Sequence, residues 1–259
     1  MSTRDRDSAS LDESSRASRD RHSASPGPSF ARRANDRPGS LRPPRSEGPR
    51  TAQGSPRTFW DRIAGLYDLA EFTNRKVNAA AAARVAELVP AGARVLDCAA
   101  GTGHFSLAAA KRAGSVLCTD LSLPMLDKAR KKAAQKGLTN ISFAQRDITA
   151  LVDPDGSFDA VIAGNVLHLL DDPEPAVREL WRVTAPGGRL ILPTYLQGNV
   201  GATYGTMIKI YQGVGFHYEH AFTPETYREF LERLDLAPAT VEVVEGKVPE
   251  GIGILEKPV

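Results

Sequence analysis

The sequence predicts an α/β protein: a doubly wound, seven-stranded, mostly parallel sheet with one antiparallel strand near the C-terminus. Three observations predict it. Short apolar runs alternate with helical patterns over most of the chain, as parallel βαβ units require. The first of these runs ends in an acid and a turn of small residues, Asp97-Cys98-Ala99-Ala100-Gly101-Thr102-Gly103, from which a helical pattern starts. The last two runs are separated only by a short turn around Pro249-Glu250-Gly251, so they must pair antiparallel.

The elements follow in order. Residues 59–72 carry apolar side chains at helical spacing, and an Ala-rich helix over 74–88 stops at Pro90. Gly92 leads into strand one, 93–98, and a helix over 102–112 follows. Strand two, 115–119, ends at Asp120. Ser122 then caps a helix with Pro124 in its first turn, running to 136. Strands three and four cover 140–145 and 158–163. Asp171 or Asp172 caps a helix over 173–183, and Pro186-Gly187-Gly188 turns the chain into strand five, 189–193. A helix is expected over 203–213. Thr223 caps another, with Pro224 at its first position, and strands over 240–245 and 252–256 close the chain.

Charge divides the chain. Residues 1–57 hold 12 arginines and no lysine against 5 aspartates and 2 glutamates, a net +5; the remainder, 21 cations against 24 carboxylates, is −3. The first segment also has 12 serines, 7 prolines and a single aromatic residue, Phe30. It cannot bury enough apolar surface to offset its ordering entropy, so 1–57 is expected to be a disordered tail and 58–259 the folded domain. Cys98 and Cys118 fall in apolar strands and read as core residues of a reduced, cytoplasmic protein. No apolar run approaches the roughly 18 residues of a membrane helix.

Chemistry gathers at the carboxyl ends of the first three strands, which lie side by side on one sheet edge. Asp120, at the end of strand two, is placed to accept hydrogen bonds from both hydroxyls of a ribose. Asp147 can accept from an exocyclic amine, the Ile148 N–H can donate to a ring nitrogen, and Leu121 and Met125 can cover the faces of a base. Together these describe an adenosine site. A dinucleotide would need G-x-G-x-x-G, but Gly101-Thr102-Gly103-His104-Phe105-Ser106 puts serine in the third place. Asp97, before the turn, suits a ligand with a positive end rather than a diphosphate. S-adenosyl-L-methionine, with its α-ammonium and sulfonium, meets both conditions.

Residues 57–257 resemble a class I S-adenosylmethionine-dependent methyltransferase of the ubiquinone/menaquinone biosynthesis C-methyltransferase-like branch. Val95-Leu96-Asp97-Cys98-Ala99-Ala100-Gly101-Thr102-Gly103 resembles that family's first motif, with Ala99 where its first glycine usually stands. Asp120 matches the ribose-binding acid and Asp147-Ile148 the adenine-contacting pair. Phe158-Asp159-Ala160-Val161, followed by Asn165-Val166-Leu167-His168, resembles the motif at the boundary of cofactor and substrate. Leu180-Trp181-Arg182-Val183 with Pro186-Gly187-Gly188, and Trp60-Asp61-Arg62-Ile63-Ala64 with Tyr67-Asp68, resemble further segments of the family. The resemblance implies a Rossmann-like methyltransferase fold. It implies a cofactor site of Asp97, Ala99, Gly101, Thr102, Gly103, Asp120, Leu121, Met125, Asp147, Ile148 and Asn165. It implies methyl transfer to a small-molecule acceptor, of quinone-like or lipid-like type.

A base is needed only if the nucleophile must lose a proton; His168, Tyr67 and Tyr195 are the candidates. His168 serves equally as a polar wall, and His104 as a lining of the cofactor loop. His217 and His220 flank Glu219, but no third ligand stands at metal spacing, so no metal is expected. Tyr204, Tyr211, Phe216, Tyr218 and Phe222 are either an acceptor pocket or packing. The basic run from Lys128 to Lys132 reads as a solvated helix face. Gly164-Asn165-Val166-Leu167 lacks the Pro-Pro-aromatic signature of nucleobase amine methylases, and neither cysteine follows a proline, so a nucleic-acid acceptor is not favoured. Two other readings stay open: an RNA or protein methyltransferase docking through the basic tail, and a non-catalytic cofactor-binding protein.

Overall fold

The computed structural model describes Asp61 and residues 74–197 and 220–259, all within the unit Thr51–Val259. The tail 1–57, Tyr67, the helix expected over 203–213, His217, Glu219 and the aromatics Tyr204, Tyr211, Phe216 and Tyr218 lie outside the described residues.

The elements run α1 (Arg75–Leu88), β1 (Arg94–Asp97), α2 (His104–Ala109), β2 (Ser115–Asp120), α3 (Leu123–Gln135), β3 (Ile141–Gln145), β4 (Phe158–Ile162), a 3₁₀ turn (Leu167–Leu169), α4 (Glu174–Val183), β5 (Thr184–Tyr195), α5 (Pro224–Arg233), β6 (Ala239–Val244) and β7 (Glu250–Glu256). They build a seven-stranded sheet of order β3-β2-β1-β4-β5-β7-β6. Every pair is parallel except those of β7, which runs against both β5 and β6. Strand order reverses between β1 and β4. A crevice therefore opens beyond their carboxyl ends, where α/β sheets bind ligands.

Alternation along the central strands sends neighbours to opposite faces. Val95, Ile162, Ile191 and Ile254 pack with Ala81 and Val85 of α1 and Phe105 and Ala109 of α2. Leu96, Val161, Leu190 and Leu192 pack with Val177 and Leu180 of α4 and Tyr227 and Leu231 of α5. Cys118 joins Leu126 and Ala129 of α3 in a smaller cluster. Both cysteines are free and buried, and burial pushes the Cys98 thiol up to about 12, so they behave as small core residues.

The helix starts follow the expected chemistry. Ser122 Oγ accepts from the Met125 N–H at 3.4 Å, and Thr223 forms a capping box with Thr226 ahead of α5. At α4, Asp172 Oδ1 accepts from the Glu174 N–H at 3.1 Å, although the capping position itself is Pro173.

Two boundaries differ from expectation. Pro186-Gly187-Gly188 does not precede β5 but bulges within it, the β4 register jumping from Phe158↔Thr184 to Ala160↔Arg189. Gly187 sits at φ +73, and a Cβ on Gly188 would lie 2.8 Å from the Ala185 carbonyl. Lys257 secures the bulge: its N–H donates to Gly188, its carbonyl accepts from Gly187, and its ammonium donates to the Trp181 and Thr184 carbonyls at 2.7 and 2.8 Å. At the C-terminus, residues expected to turn are already in β7, which starts at Glu250 opposite Tyr195. The reversed direction of β7 therefore delivers Glu250 to the same edge as the carboxyl ends of β4 and β5.

Candidate active site

The loop after β1 is held on three sides. The Cys98 N–H donates to Ile162 of β4 at 2.8 Å, and the Ala100 N–H donates to Thr119 of β2 at 2.9 Å. The Gly103 N–H closes back on Ala100 at 2.8 Å. Ala99, Gly101 and Gly103 all adopt positive φ, at 50, 55 and 83°. Ala99 takes up the left-handed backbone that a glycine would adopt more easily, at a cost of about 1–2 kcal/mol. Gly103 has a second requirement, because a Cβ there would stand 2.9 Å from Ala129 Cβ.

Asp97 is fully buried at the end of β1. Ser106, in the third place of the glycine pattern, donates to Asp97 Oδ2 at 2.5 Å. Serine stands there to hold the acid, a role the glycine count alone does not reveal. Asp97 Oδ1 is buried with no hydrogen-bond partner. Burial lifts the Asp97 pKa to about 7; the Ser106 hydroxyl and N–H oppose this lift, and the Asp120 charge adds to it.

Asp120 is buried at the adjoining end of β2. Its Oδ2 accepts from the Gly101 N–H and its Oδ1 from the Ser122 N–H, both at 2.8 Å. Burial raises its pKa too, against the pull of the Ser122, Gly101 and Leu121 N–H groups. One carboxylate thus ties the glycine loop to the start of α3. Ser122 Oγ also donates to Asp61 at 2.6 Å, which brings one residue of the N-terminal segment to the site.

Leu121 and Met125 lie beside Asp120, Met125 fully buried. The β3 end is tied to the same place: Gln145 Nε2 donates to the Leu121 carbonyl at 2.7 Å, and the Arg146 N–H donates to the Asp120 carbonyl at 3.2 Å. Asp147 is exposed and accepts from the Thr149 N–H and hydroxyl at 2.9 and 2.7 Å; Ile148 is buried. Thr102 accepts from Lys132 at 2.7 Å. The expected solvated basic face is therefore corrected at one point: Lys132 reaches the cofactor loop, while Arg130 lies 5.1 Å over the Phe143 ring and pairs with Asp127.

A second polar group stands at the ends of β4, β5 and β7. Asn165 follows β4 at φ +55; its N–H donates to the Pro193 carbonyl at 2.8 Å, and Nδ2 donates to Glu250 Oε1 at 3.1 Å. His168 is buried, with Nδ1 3.2 Å from Thr194 Oγ1 and its ring 6.0 Å from that of Tyr195. The Tyr195 hydroxyl is 3.5 Å from Asn78 Oδ1, and Asn74 donates to the same oxygen at 3.1 Å. His104 Nε2 donates to the Asn78 carbonyl at 2.8 Å, which gives it a structural duty in the loop's first helix. His220 Nε2 donates to the Asp171 carbonyl at 3.1 Å. Phe222 packs on Tyr227 and Phe230 in the core.

Sequence reasoning missed Glu250, Thr194, Asn78 and Ser106. Glu250 had a signal: a carboxylate opening an otherwise apolar strand.

Burial and the His220 charge push the His168 pKa down to about 3. The ring is therefore expected to stay neutral across the physiological range. Its Cε1 proton resonance should not titrate between pH 5 and 8, and a transition near 6.5 would contradict the buried, uncharged geometry. A neutral ring that refuses protons suits a pocket wall better than a general base poised near neutrality.

With the acid-glycine loop, the second acid and the two-part polar edge in place, the relatives are informative. Residues 96–192 match the family model described as "Methyltransferase domain". Over that stretch the chain carries a methyltransferase domain. Its similarity runs to the ubiquinone/menaquinone C-methyltransferase-like branch. It is 41% identical over 120 residues to the demethylmenaquinone methyltransferase of Thermus thermophilus, covering 46% of this chain and 54% of that one. It is 37% identical over 123 residues to the ubiquinone/menaquinone biosynthesis C-methyltransferase UbiE of Bdellovibrio bacteriovorus, covering 47% and 52%. The chain spans about half the length of these relatives. Among solved structures, Haemonchus contortus phosphoethanolamine N-methyltransferase 2 superposes with a TM-score of 0.61 at 18% identity, over 80% of this chain and 61% of that one. The [4+2]-cyclase SpnF does so with 0.56 at 21% identity, over 69% and 80%. At such identities these likenesses concern the fold, and the fold of a methyltransferase domain does not by itself name a reaction.

Proposed function

We propose that this chain transfers a methyl group from S-adenosyl-L-methionine to a small-molecule acceptor of quinone-like or lipid-like type, with residues 58–259 as the working domain. The observation that carries the reading is the pair Asp97 and Asp120, buried at adjoining strand ends and joined through the glycine loop. The residues fit the cofactor. Asp97 Oδ1, buried without a partner, suits the methionine ammonium. The carboxylate of Asp120, at the end of β2, suits the two ribose hydroxyls. Ala99, Gly101, Thr102 and Gly103 let the ligand approach the backbone, with Leu121, Met125, Asp147 and Ile148 around the base and Asn165 at the boundary with the acceptor.

When bound, the cofactor supplies a methyl on a sulfonium, already a good leaving group. The chain's own residues then have three duties. They hold nucleophile and methyl in line, exclude water and orient the acceptor. The wall of Asn165, His168, Thr194 and Tyr195, of which His168 and Thr194 are buried, serves that task. The naming of relatives as demethylmenaquinone methyltransferases supports a quinone-like acceptor.

Calorimetry with S-adenosylmethionine, S-adenosylhomocysteine and NADH tests the donor. The first two are expected to bind and NADH is not; binding of NADH alone would sink the reading. Transfer of labelled methyl to a reduced naphthoquinone tests the acceptor class.

A further inference from the structure

The mechanism so far leaves Glu250 unused, although it is a completely buried carboxylate at the working edge of the sheet. It opens β7, opposite Tyr195, and accepts from Asn165 Nδ2 at 3.1 Å. We propose that Glu250 is a positioning residue. Its carboxylate fixes the Asn165 amide so that Oδ1 is presented to the methyl acceptor, which must then offer an O–H or N–H at that point. This rests on the methyltransferase reading and narrows its acceptor.

The argument starts from the inventory of the amide. Asn carries a donor end and an acceptor end of nearly the same shape, so its orientation is decided by what it faces. In the structure it is the Nδ2 end that lies against the Glu250 carboxylate, 3.1 Å from Oε1. Glu250 therefore selects the NH₂ end, and Oδ1 is turned to the other side. The backbone leaves little freedom to undo this. Asn165 is held at φ +55, and its N–H is bound to the Pro193 carbonyl. The preceding Gly164 is pressed so closely on α2 that a Cβ would stand 2.1 Å from Phe105 Cε2.

The oxygen presented in this way is buried and takes no hydrogen bond. An unsatisfied buried acceptor costs about 1–3 kcal/mol, a cost that a ligand donor would remove. The donor belongs to the acceptor molecule rather than the cofactor. The cofactor's ammonium has Asp97 at the end of β1. Asn165 stands at the end of β4 and is bonded to β5 and β7, beside Thr194 and Tyr195. A hydroquinone has the required O–H next to a nucleophilic ring carbon; a quinone or an aryl ether does not.

The test uses the full chain saturated with S-adenosylhomocysteine, under anaerobic reducing conditions. Two probes are titrated, 1,4-naphthohydroquinone and 1,4-dimethoxynaphthalene, which differ in the O–H donors. The wild type is expected to bind the diol about tenfold more tightly, the scale of one buried hydrogen bond. Glu250→Gln, whose amide oxygen can still accept from Asn165, is expected to keep most of that preference. Glu250→Leu is expected to reduce it to about twofold or less. Should Glu250→Leu fail to fold, Asn165→Asp serves instead. Two facing carboxylates are expected to abolish the preference, and adding Glu250→Gln is expected to restore it by reversing donor and acceptor. Such rescue would not follow from a merely structural role. Equal binding of the two probes by the wild type, no binding of the diol, a full preference in Glu250→Leu, or no rescue in the double variant would overturn the proposal. Failure of the wild type to bind S-adenosylhomocysteine would instead sink the methyl-donor reading, so the two failures are distinguishable.

Discussion

Asp120→Ala is expected to weaken S-adenosylmethionine binding about a hundredfold. Two hydrogen bonds from ribose hydroxyls to a carboxylate would be lost. Bonds to charged groups contribute about 1.5–3 kcal/mol each, so even partial compensation by water leaves about 3 kcal/mol, or roughly two decades in affinity. The same carboxylate also accepts from the Gly101 and Ser122 N–H groups. Removing it leaves both N–H groups without their acceptor, the Ser122 one buried, and loosens the glycine loop from the start of α3. Asp120→Asn is expected to be milder, because its single amide oxygen can still serve one of the two N–H groups. Calorimetric titration of both variants decides the matter. An Asp120→Ala affinity within threefold of wild type would remove Asp120 from the site.

The reason so much of this site was legible is that the β1 loop is built from local rules. Apolar alternation sets the strand, small residues permit the positive φ, and strand ends in a right-handed crossover sheet must lie side by side. Ser122 and Thr223 were readable as caps for the same reason, since their partners are three residues away. Non-local requirements were not legible. Ser106 reads as a failed third glycine until Asp97, nine residues earlier, is seen to take its hydroxyl. Pro186-Gly187-Gly188 reads as a turn because nothing nearby signals that Lys257, some 70 residues later, will strap it into β5 as a bulge. Glu250 reads as a turn residue beside Pro249 and Gly251. Its meaning depends on β7 running backwards beside β5, which places it against Asn165, 85 residues away. In the proposed reading, the local half of the site holds the methyl donor, and the half assembled by the reversed strand bears on the acceptor.

Asp97→Asn is expected to stabilise the ligand-free protein at pH 8 while weakening its hold on the cofactor. Burial raises the pKa of Asp97 in the folded chain to about 7, from 3.8 in its ordinary state. Between those values the folded state keeps a proton that the unfolded chain has released. The stability due to this proton is complete below pH 3.8 and is lost as pH rises to 7. At 1.36 kcal/mol per unit, the loss amounts to about 4 kcal/mol, taken as an upper bound. Asparagine does not titrate, and its oxygen can still accept from Ser106. Its advantage over the wild type should therefore grow from pH 5 to pH 7 and then level off, as read by denaturant unfolding of the two proteins at each pH. The cofactor is expected to show the opposite sign. An ammonium beside Asp97 favours the ionised acid, so binding must expel the proton below pH 7. Wild-type affinity should rise with pH between 5 and 7, by up to tenfold per unit, and that slope should disappear in Asp97→Asn. A slope that survives the substitution would assign the titration to another group. The combination is what a binding acid requires: a carboxylate uncomfortable in the empty fold is one whose burial the ligand's positive charge can offset.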